Sequence, residues 1–500
     1  MNITMLLEMA AGGFGDRVAL GTLSEGRTYS ELFEQAGSAA RRFADSGAER
    51  VSLVDVSSPA LPVALFGSAW AGLPFVPLNY RLTDEELCSL AGAVSPSVTI
   101  CTPETAARIG SVDGVELLDR EGFLSDLTGD PAGEWSFDGE DVAILLYTSG
   151  TTGAPKAAVL RQRHLVSYIL SSVEFMAAGE DEATLISVPP YHVAGMAGIL
   201  SAVYAGRRIV QLPAFDPAEW VDLAKREGVT HAMVVPTMLA RIVDHMDETG
   251  TTIPTLRAVS YGGGKMPATV IAQALDLLPE TNFVNAYGLT ETSSTIAVLG
   301  PDEHREAHAS DDPLIRRRLG SAGVPLPGVE VSVRGETGEP ADVGEHGEIW
   351  VRGEQVSGEY VGFASRVTDE GWFPTRDGGW FDDAGYLFVE GRIDDIIIRG
   401  GENISPGEIE ESLRTHESVA DAAALGLPDR QWGERVACVV VLHEGRQVDP
   451  DELRAHVKAE LRSSRTPEVI EFRKDLPYND TGKLLRRQLR DELAHLGDEA

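Results

Sequence analysis

Residues 147–156 read Tyr-Thr-Ser-Gly-Thr-Thr-Gly-Ala-Pro-Lys, a run that crowds hydroxyls against glycines and ends in a cation. Gly150 and Gly153 let the backbone take conformations that a Cβ forbids, so Thr148, Ser149, Thr151, Thr152 and bare N–H groups can face one ligand. Lys156 adds a fixed positive charge. Donors packed this densely beside a cation suit a polyphosphate, because charge-assisted bonds to phosphate oxygens are the strong kind. The spacing is not Gly-x-x-x-x-Gly-Lys-Ser/Thr, since this loop has no Gly-Lys pair. Nor is it a Gly-x-Ser-x-Gly elbow, because Tyr147 stands where the first glycine belongs. The plainer alternative is a flexible Ser/Thr/Gly connector.

Further stretches offer complementary chemistry. In Asn285-Ala286-Tyr287-Gly288-Leu289-Thr290-Glu291-Thr292, an aromatic beside glycine can stack on a purine and Thr290 can bond a phosphate. Glu291 can hold a hard cation that bridges phosphate oxygens. A solvated turn is the bland reading of the same residues. Gly262-Gly263-Gly264 is either a plain turn or a surface flat enough for a base. Asp377 offers two acceptors at the spacing of two ribose hydroxyls. Lys483, in Asn479-Asp480-Thr481-Gly482-Lys483, is by itself an ordinary exposed lysine, and His192 after Pro189-Pro190-Tyr191 an ordinary structural histidine.

Taken in order, these stretches resemble the motifs of the adenylate-forming superfamily, which includes acyl- and aryl-CoA synthetases, luciferases and peptide-synthetase adenylation domains. The resemblance spans nearly the whole chain and is most like the acyl-CoA ligases. It implies Asn285 near the adenine amino group, Tyr287 stacked on adenine with Gly262, Gly263 and Gly264 lining the other face, and Thr290 on the α-phosphate. It also implies Glu291 on Mg2+, Asp377 on the ribose, and Arg392 on ribose or phosphate. Lys483 is implied to bridge the reacting carboxylate and the α-phosphate, a group the chemistry needs because an anionic carboxylate must attack anionic ATP. Asp394 matches the hinge about which the family rotates its C-terminal domain, and Gly400-Gly401 the loop beside the thiol channel. His192 matches a gating aromatic or histidine between carboxylate pocket and ATP. One departure stands out: the family usually has glycine before the ribose aspartate, and this chain has Arg376.

The implied function is an ATP-dependent carboxylic acid:CoA ligase working through an acyl-adenylate, with ATP, Mg2+ and CoA as its small-molecule requirements. Amino-acid-activating relatives carry an aspartate near His192 to hold the α-ammonium, whereas residues 191–196, Tyr-His-Val-Ala-Gly-Met, contain no acid. A carboxylate without an α-amino group is therefore expected. Alternatives keep the adenylate but pass it to a carrier-protein phosphopantetheine, to oxygen, or to nitrite that activates an aryl amine. A nucleotide-binding relative without catalysis is disfavoured by the presence of Lys156, Glu291, Asp377 and Lys483 together.

The elements that must position these residues follow from pattern. Thr28-Tyr29-Ser30-Glu31 and Thr83–Glu86 have capping-box spacing ahead of helices. Val51–Val56, Val142–Leu146, Thr184–Val188, His231–Val235, Leu256–Tyr261 and Asn282–Ala286 read as strands, and Arg163–Met176 as a helix. Alternation of this kind predicts a large α/β N-terminal domain of stacked subdomains with largely parallel sheets, whose strand ends gather the site. From Val324 the texture turns to short strands, Val329–Arg334, Gly347–Arg352 and Tyr386–Val389, a small β unit. Ile396–Ile398, a helix opened by Ser405-Pro406-Gly407-Glu408, strands Ala422–Leu425 and Val436–Leu442, and a helix from Asp449 predict a small, mobile α+β C-terminal domain. The expected domains are 1–393 and 394–500.

Composition narrows the setting. A net charge of −36, from 42 Lys plus Arg against 78 Asp plus Glu, disfavours nucleic acid and anionic lipid as partners. Three cysteines without metal or disulfide spacing fit a reducing cytoplasm. Glu8 interrupts the N-terminal apolar stretch and no run approaches 18 apolar residues, so neither a signal peptide nor a membrane span is expected.

Overall fold

In the computed structural model, which describes residues 1–128, 131–148, 156–335, 337–400, 402–479 and 484–497, both predicted capping boxes form. The Thr28 hydroxyl accepts the Glu31 N–H at 3.2 Å and the Glu31 carboxylate accepts the Thr28 N–H at 2.7 Å, opening the helix Tyr29–Asp45. Thr83 and Glu86 do the same for Asp84–Ala93. Leu32, Ala36, Ala39, Ala40 and Phe43 form the buried stripe of the first helix, which packs on the buried helix Ala60–Ala71. Gly67 permits that approach, because a Cβ there would stand 2.8 Å from the Ala39 methyl.

Among the described residues, two sheets dominate the N-terminal part. One runs in the spatial order Val115–Asp119, Ser97–Cys101, Arg50–Val54, Phe75–Pro77, Val142–Thr148, Lys156–Arg161. Its pairs are parallel except the last. The other has the parallel core Ala183–Ile186, His231–Val234, Ala258–Gly262, Asn282–Leu289, with antiparallel Ser294–Leu299 beyond. Register aligns its strand ends: Tyr261 pairs with Asn285 and Gly262 with Ala286. The predicted base-binding residues therefore leave one edge of one sheet, the carboxyl edge where open α/β folds gather ligands.

The chain forms two compact units, Met1–Leu319 with Gly323–Glu330 and Val351–Phe373, and Gly320–Ala322 with Val331–Trp350 and Pro374–Ala500. The first is the large domain with the two sheets, and a small C-terminal domain begins at about residue 400. The second unit carries most of a small sheet, ordered Glu330–Arg334, Gly347–Arg352, Phe373–Phe381, Leu387–Arg392. It also holds a sheet ordered Glu402–Ile404, Ile397–Arg399, Gly433–Leu442, Val419–Asp429, with Val469–Arg473 paired to Gly433–Leu442. Alternation along the long strands serves two cores. Ala422, Ala424, Val436 and Cys438 face one core, with residues of helices Pro406–Arg414 and Pro450–Glu460, whereas Ala423, Leu425, Ala437 and Val439 face Leu489 and Leu493.

Several expectations are corrected. The helix predicted to reach Met176 stops at Ser172, where the hydroxyls of Ser171 and Ser172 fold back onto the Tyr168 carbonyl and β-branched Val173 turns extended. The strands Lys156–Arg161 and Phe373–Phe381 escaped the pattern reading. The second contains Pro374, Gly378 and Gly379, poor strand formers, yet a Cβ at Gly379 would collide with the Phe388 carbonyl of the neighbouring strand. Ser405 is the N-cap of Pro406–Arg414 but makes no capping bond, and its hydroxyl instead lies 3.4 Å from the Glu390 carbonyl. Among the described residues no helix is long and apolar enough to cross a membrane. Cys88 is exposed, whereas Cys101 and Cys438 are buried.

His164, in the helix after Lys156–Arg161, is buried with its Nδ1 accepting the Arg161 N–H at 3.2 Å. Burial, aided by Arg163 and Arg161, pushes its pKa from 6.5 down to about 3. A group depressed in the folded state contributes its stability in full above the unfolded pKa and loses it as the pH falls toward the folded one. His164 should therefore cost about 2 kcal/mol of stability between pH 7 and pH 5. In urea denaturation, His164→Gln should flatten that decline; an unchanged slope would remove the histidine as its cause.

Candidate active site

The strand Val142–Thr148 delivers the hydroxyl-rich loop, and Lys156, paired with Thr148, begins the antiparallel strand that returns from it. Sequence pattern had led directly from loop to helix; the intervening strand places Lys156 on the sheet. Ser149, Gly150, Thr151, Thr152 and Gly153 lie outside the described residues, as do the Thr148 side chain, Gly401 and Lys483. The Lys156 ammonium stands 4.6 Å from the centroid of the Phe363 ring, within cation–π range.

The second motif leaves the parallel core. Asn285 and Tyr287 are two residues apart on one strand and both half-buried. A Cβ at Gly262 would strike the Ala286 carbonyl, so this glycine is already required by the approach of neighbouring strands. Gly263 is left-handed at φ 86°, and Gly264 follows it in the bend. Thr290, Glu291 and Thr292 form a single 3-10 turn, followed by Ser293 and Ser294 at φ 57° and 120°, uncommon for residues other than glycine. Glu291 is only 8% exposed. Among the described residues no three His, Cys, Asp or Glu side chains cluster as a metal cage. One buried carboxylate, joined through a shared segment to the strand that Lys156 begins, fits Mg2+, which is commonly bound by one or two carboxylates plus substrate phosphates and water.

A segment that sequence reading passed over holds this turn. The Gln355 side-chain amide donates to the Thr292 and Thr295 carbonyls at 3.0 and 2.7 Å, and the Gln355 backbone carbonyl accepts the Ser293 hydroxyl at 2.9 Å. The Ser357 and Gly358 N–H groups donate to the Glu291 carbonyl at 2.8 and 3.3 Å, and the Tyr360 hydroxyl donates to the Glu291 carboxylate. On its other side the same segment pairs with Lys156–Arg161. Val159 N–H meets the Glu359 carbonyl at 2.9 Å, Val361 N–H the Ala157 carbonyl at 3.0 Å, and Arg161 grips the Glu359 carboxylate at 3.0 and 2.7 Å. The available signal was two aromatics, Tyr360 and Phe363, in a glycine-containing stretch without core periodicity.

His192 is the N-cap of the helix Val193–Ala205, its N–H bonded to the Pro189 carbonyl at 3.2 Å. Its ring lies 4.5 Å from that of Tyr191, which in turn meets Tyr80 edge-on at 5.7 Å.

In the second unit Asp377 is 9% exposed and lies inside a strand, its register partner being Arg392. Arg392 donates to the Thr375 carbonyl at 2.6 Å and to the Asp377 carboxylate at 3.2 Å. Arg376, where the family pattern has glycine, takes the left-handed conformation that glycine would take, φ 67°. Its N–H donates to the Glu348 carboxylate at 3.0 Å, and its guanidinium reaches the Asp394 carboxylate at 2.6 Å. Asp394 sits in the 3-10 turn Ile393–Asp395. Gly400 is left-handed at φ 61°, its N–H bonded to the Trp432 carbonyl at 2.7 Å and the Trp432 ring packed where a Cβ would point.

Residues 7–361 match the AMP-binding enzyme family and residues 408–483 the AMP-binding enzyme C-terminal domain. A feruloyl-CoA synthase of an Amycolatopsis species is 33% identical over 470 residues, 93% of each chain. The fatty acid–[acyl-carrier-protein] ligase ScoC of Streptomyces coeruleorubidus is 32% identical over 96% of this chain and 94% of its own. The structure of O-succinylbenzoate coenzyme A synthetase (MenE) from Bacillus subtilis, in complex with ATP and magnesium ion, superposes with a TM-score of 0.84 at 28% identity, covering 97% of this chain and 99% of that one. With both family domains present in order and relatives matched along almost their whole length, the chain belongs to the AMP-binding, adenylate-forming superfamily and is an adenylate-forming ligase of the AMP-forming acid–thiol family.

Proposed function

We propose that the enzyme joins a carboxylic acid lacking an α-amino group to coenzyme A. The carboxylate oxygen attacks the α-phosphorus of ATP and pyrophosphate leaves; the thiol sulfur then attacks the acyl carbon, its proton is lost, and AMP leaves. The observation that carries this reading is the convergence of Gly262, Asn285, Tyr287 and buried Glu291 at one sheet edge, in a chain whose relatives make thioesters. Thr148, Ser149, Gly150, Thr151, Thr152, Gly153 and Lys156 would receive the phosphates, Asn285 and Tyr287 the adenine, Thr290 the α-phosphate, and Asp377 with Arg392 the ribose. Glu291 would hold Mg2+, which when bound neutralises charge on the phosphates. Lys483 would bring positive charge between the two reacting anions.

The two half-reactions need Lys483 in the site and then out of it, so the C-terminal domain, 394–500, would turn about Asp394 and bring Gly400-Gly401 beside the thiol channel. His192 would gate the acid pocket. The match to ScoC favours a second acceptor, a carrier-protein phosphopantetheine, whose reacting thiol is that of coenzyme A. ATP–pyrophosphate exchange across a carboxylate panel, followed by product analysis with CoA, a loaded carrier protein, nitrite or no acceptor, tests both readings.

In that panel a carboxylic acid without an α-amino group should be activated at least about a hundredfold better than its α-amino analogue. This corresponds to roughly 3 kcal/mol and lies within the cost of leaving an ammonium unpaired where residues 191–196 supply no acid. Exchange with ordinary α-amino acids and none with simple carboxylates would overturn the substrate class. Lys483→Ala should slow adenylation about a hundred- to a thousandfold. Thioester formation from supplied acyl-AMP should stay near the wild-type rate, and equal loss in both steps would contradict the division of labour. Arg376→Gly removes a left-handed side chain costing roughly 1 kcal/mol and an exposed ion pair contributing at most about that much. Chemical denaturation should therefore show stability unchanged or raised by up to about 1 kcal/mol; a clear loss would mean that the Arg376–Asp394 pair is a structural clasp.

A further inference from the structure

Glu291 is held twice by one segment, at its carbonyl by the Ser357 and Gly358 N–H groups and at its carboxylate by the Tyr360 hydroxyl. Resting on the assignment of Glu291 to the magnesium site, we propose that Tyr360 is a positioning residue that aims the Glu291 carboxylate at the cation, and that residues 355–363 set its distance from the phosphate-loop strand. A glutamate carboxylate is free to rotate about its last bond. A hydroxyl donating to one oxygen fixes the plane of both. Partners of this kind govern metal affinity as the ligands themselves do.

What holds Tyr360 is as specific as what it holds. The backbone on either side of it pairs with Lys156–Arg161 through Val159 and Val361, and Arg161 anchors the adjoining Glu359. Phe363, three residues on, lies under the Lys156 ammonium. The segment thus touches the cationic residue expected to meet the phosphates and the anionic residue expected to meet the metal, and fixes the spacing between them.

The test compares wild type, Tyr360→Phe, Glu291→Gln and the double variant. Magnesium dependence is read by ATP–pyrophosphate exchange, and Mn2+ binding in the presence of a non-hydrolysable ATP analogue by electron paramagnetic resonance. Tyr360→Phe should raise the half-saturating metal concentration about tenfold in both readouts, with a melting temperature near that of wild type. It should add less than about twofold in the Glu291→Gln background, because non-additivity marks a shared action. If Tyr360→Phe does not fold, Tyr360→His replaces it, and its Mn2+ binding must be weaker than wild type. Unchanged metal affinity in the Tyr360 variant while Glu291→Gln loses it would overturn the positioning role alone. Unchanged affinity in Glu291→Gln would overturn the metal assignment and the proposal with it.

Discussion

Lys156 and Glu291, proposed to meet one polyphosphate, come from two different sheets, and the pairing of residues 355–363 with both sources is the constraint on which the proposed site depends. Lys156 belongs to the sheet that begins with Arg50–Val54 and its neighbours, whereas Glu291 follows the parallel core of the other. Sheets are internally rigid but can shift against each other, and a sub-ångström error between reacting groups is costly. A segment hydrogen-bonded to a strand of one and to the turn of the other converts two sheet frames into one. Its bonds are mostly to backbone atoms, so the constraint is written into chain geometry more than into side-chain identity.

The electrostatics impose a second constraint. A chain of net charge −36 repels anionic substrates at a distance, so long-range steering does not serve it. Binding must come from short-range donors, and the arginine on the strand that Lys156 begins is already engaged. Arg161 is committed to Glu359. The dense hydroxyls and N–H groups of residues 148–153 suit this situation, since neutral donors bind phosphate without having to be freed from a carboxylate.

What was legible in the sequence was what local chemistry decides. Thr28 with Glu31 and Thr83 with Glu86 announced their helices because each box satisfies its own backbone groups. The strands Arg50–Val54 and Ala183–Ile186 announced themselves as apolar runs because both faces are buried, and the Asn285–Thr292 motif stood out because it closes another strand. Lys156–Arg161 and Phe373–Phe381 were missed because their strand character comes from neighbours distant in sequence. The segment 355–363 was missed for the same reason: its partners lie 69 and 198 residues earlier, and nothing local distinguishes it from a loop. Arg376 shows the opposite case. The sequence flagged a departure from glycine, and the backbone kept the glycine-like conformation regardless, with the guanidinium finding Asp394.

The placement of the cysteines has a chemical consequence for an enzyme of this family. An acyl-adenylate is an electrophile built to be taken by a thiol, and a protein that makes one risks being acylated by its own sulfur. Cys101 and Cys438 are buried. Burial, with Asp55 and Asp119 nearby, pushes the Cys101 thiol up to about 11, and burial with Glu410 nearby pushes Cys438 higher still. At neutral pH neither offers thiolate, the reactive form. Cys88 alone is open to solvent, so a single thiol reagent can mark the large domain at one place without any cysteine being removed, and acyl groups that stray from the adenylate have one protein sulfur to find.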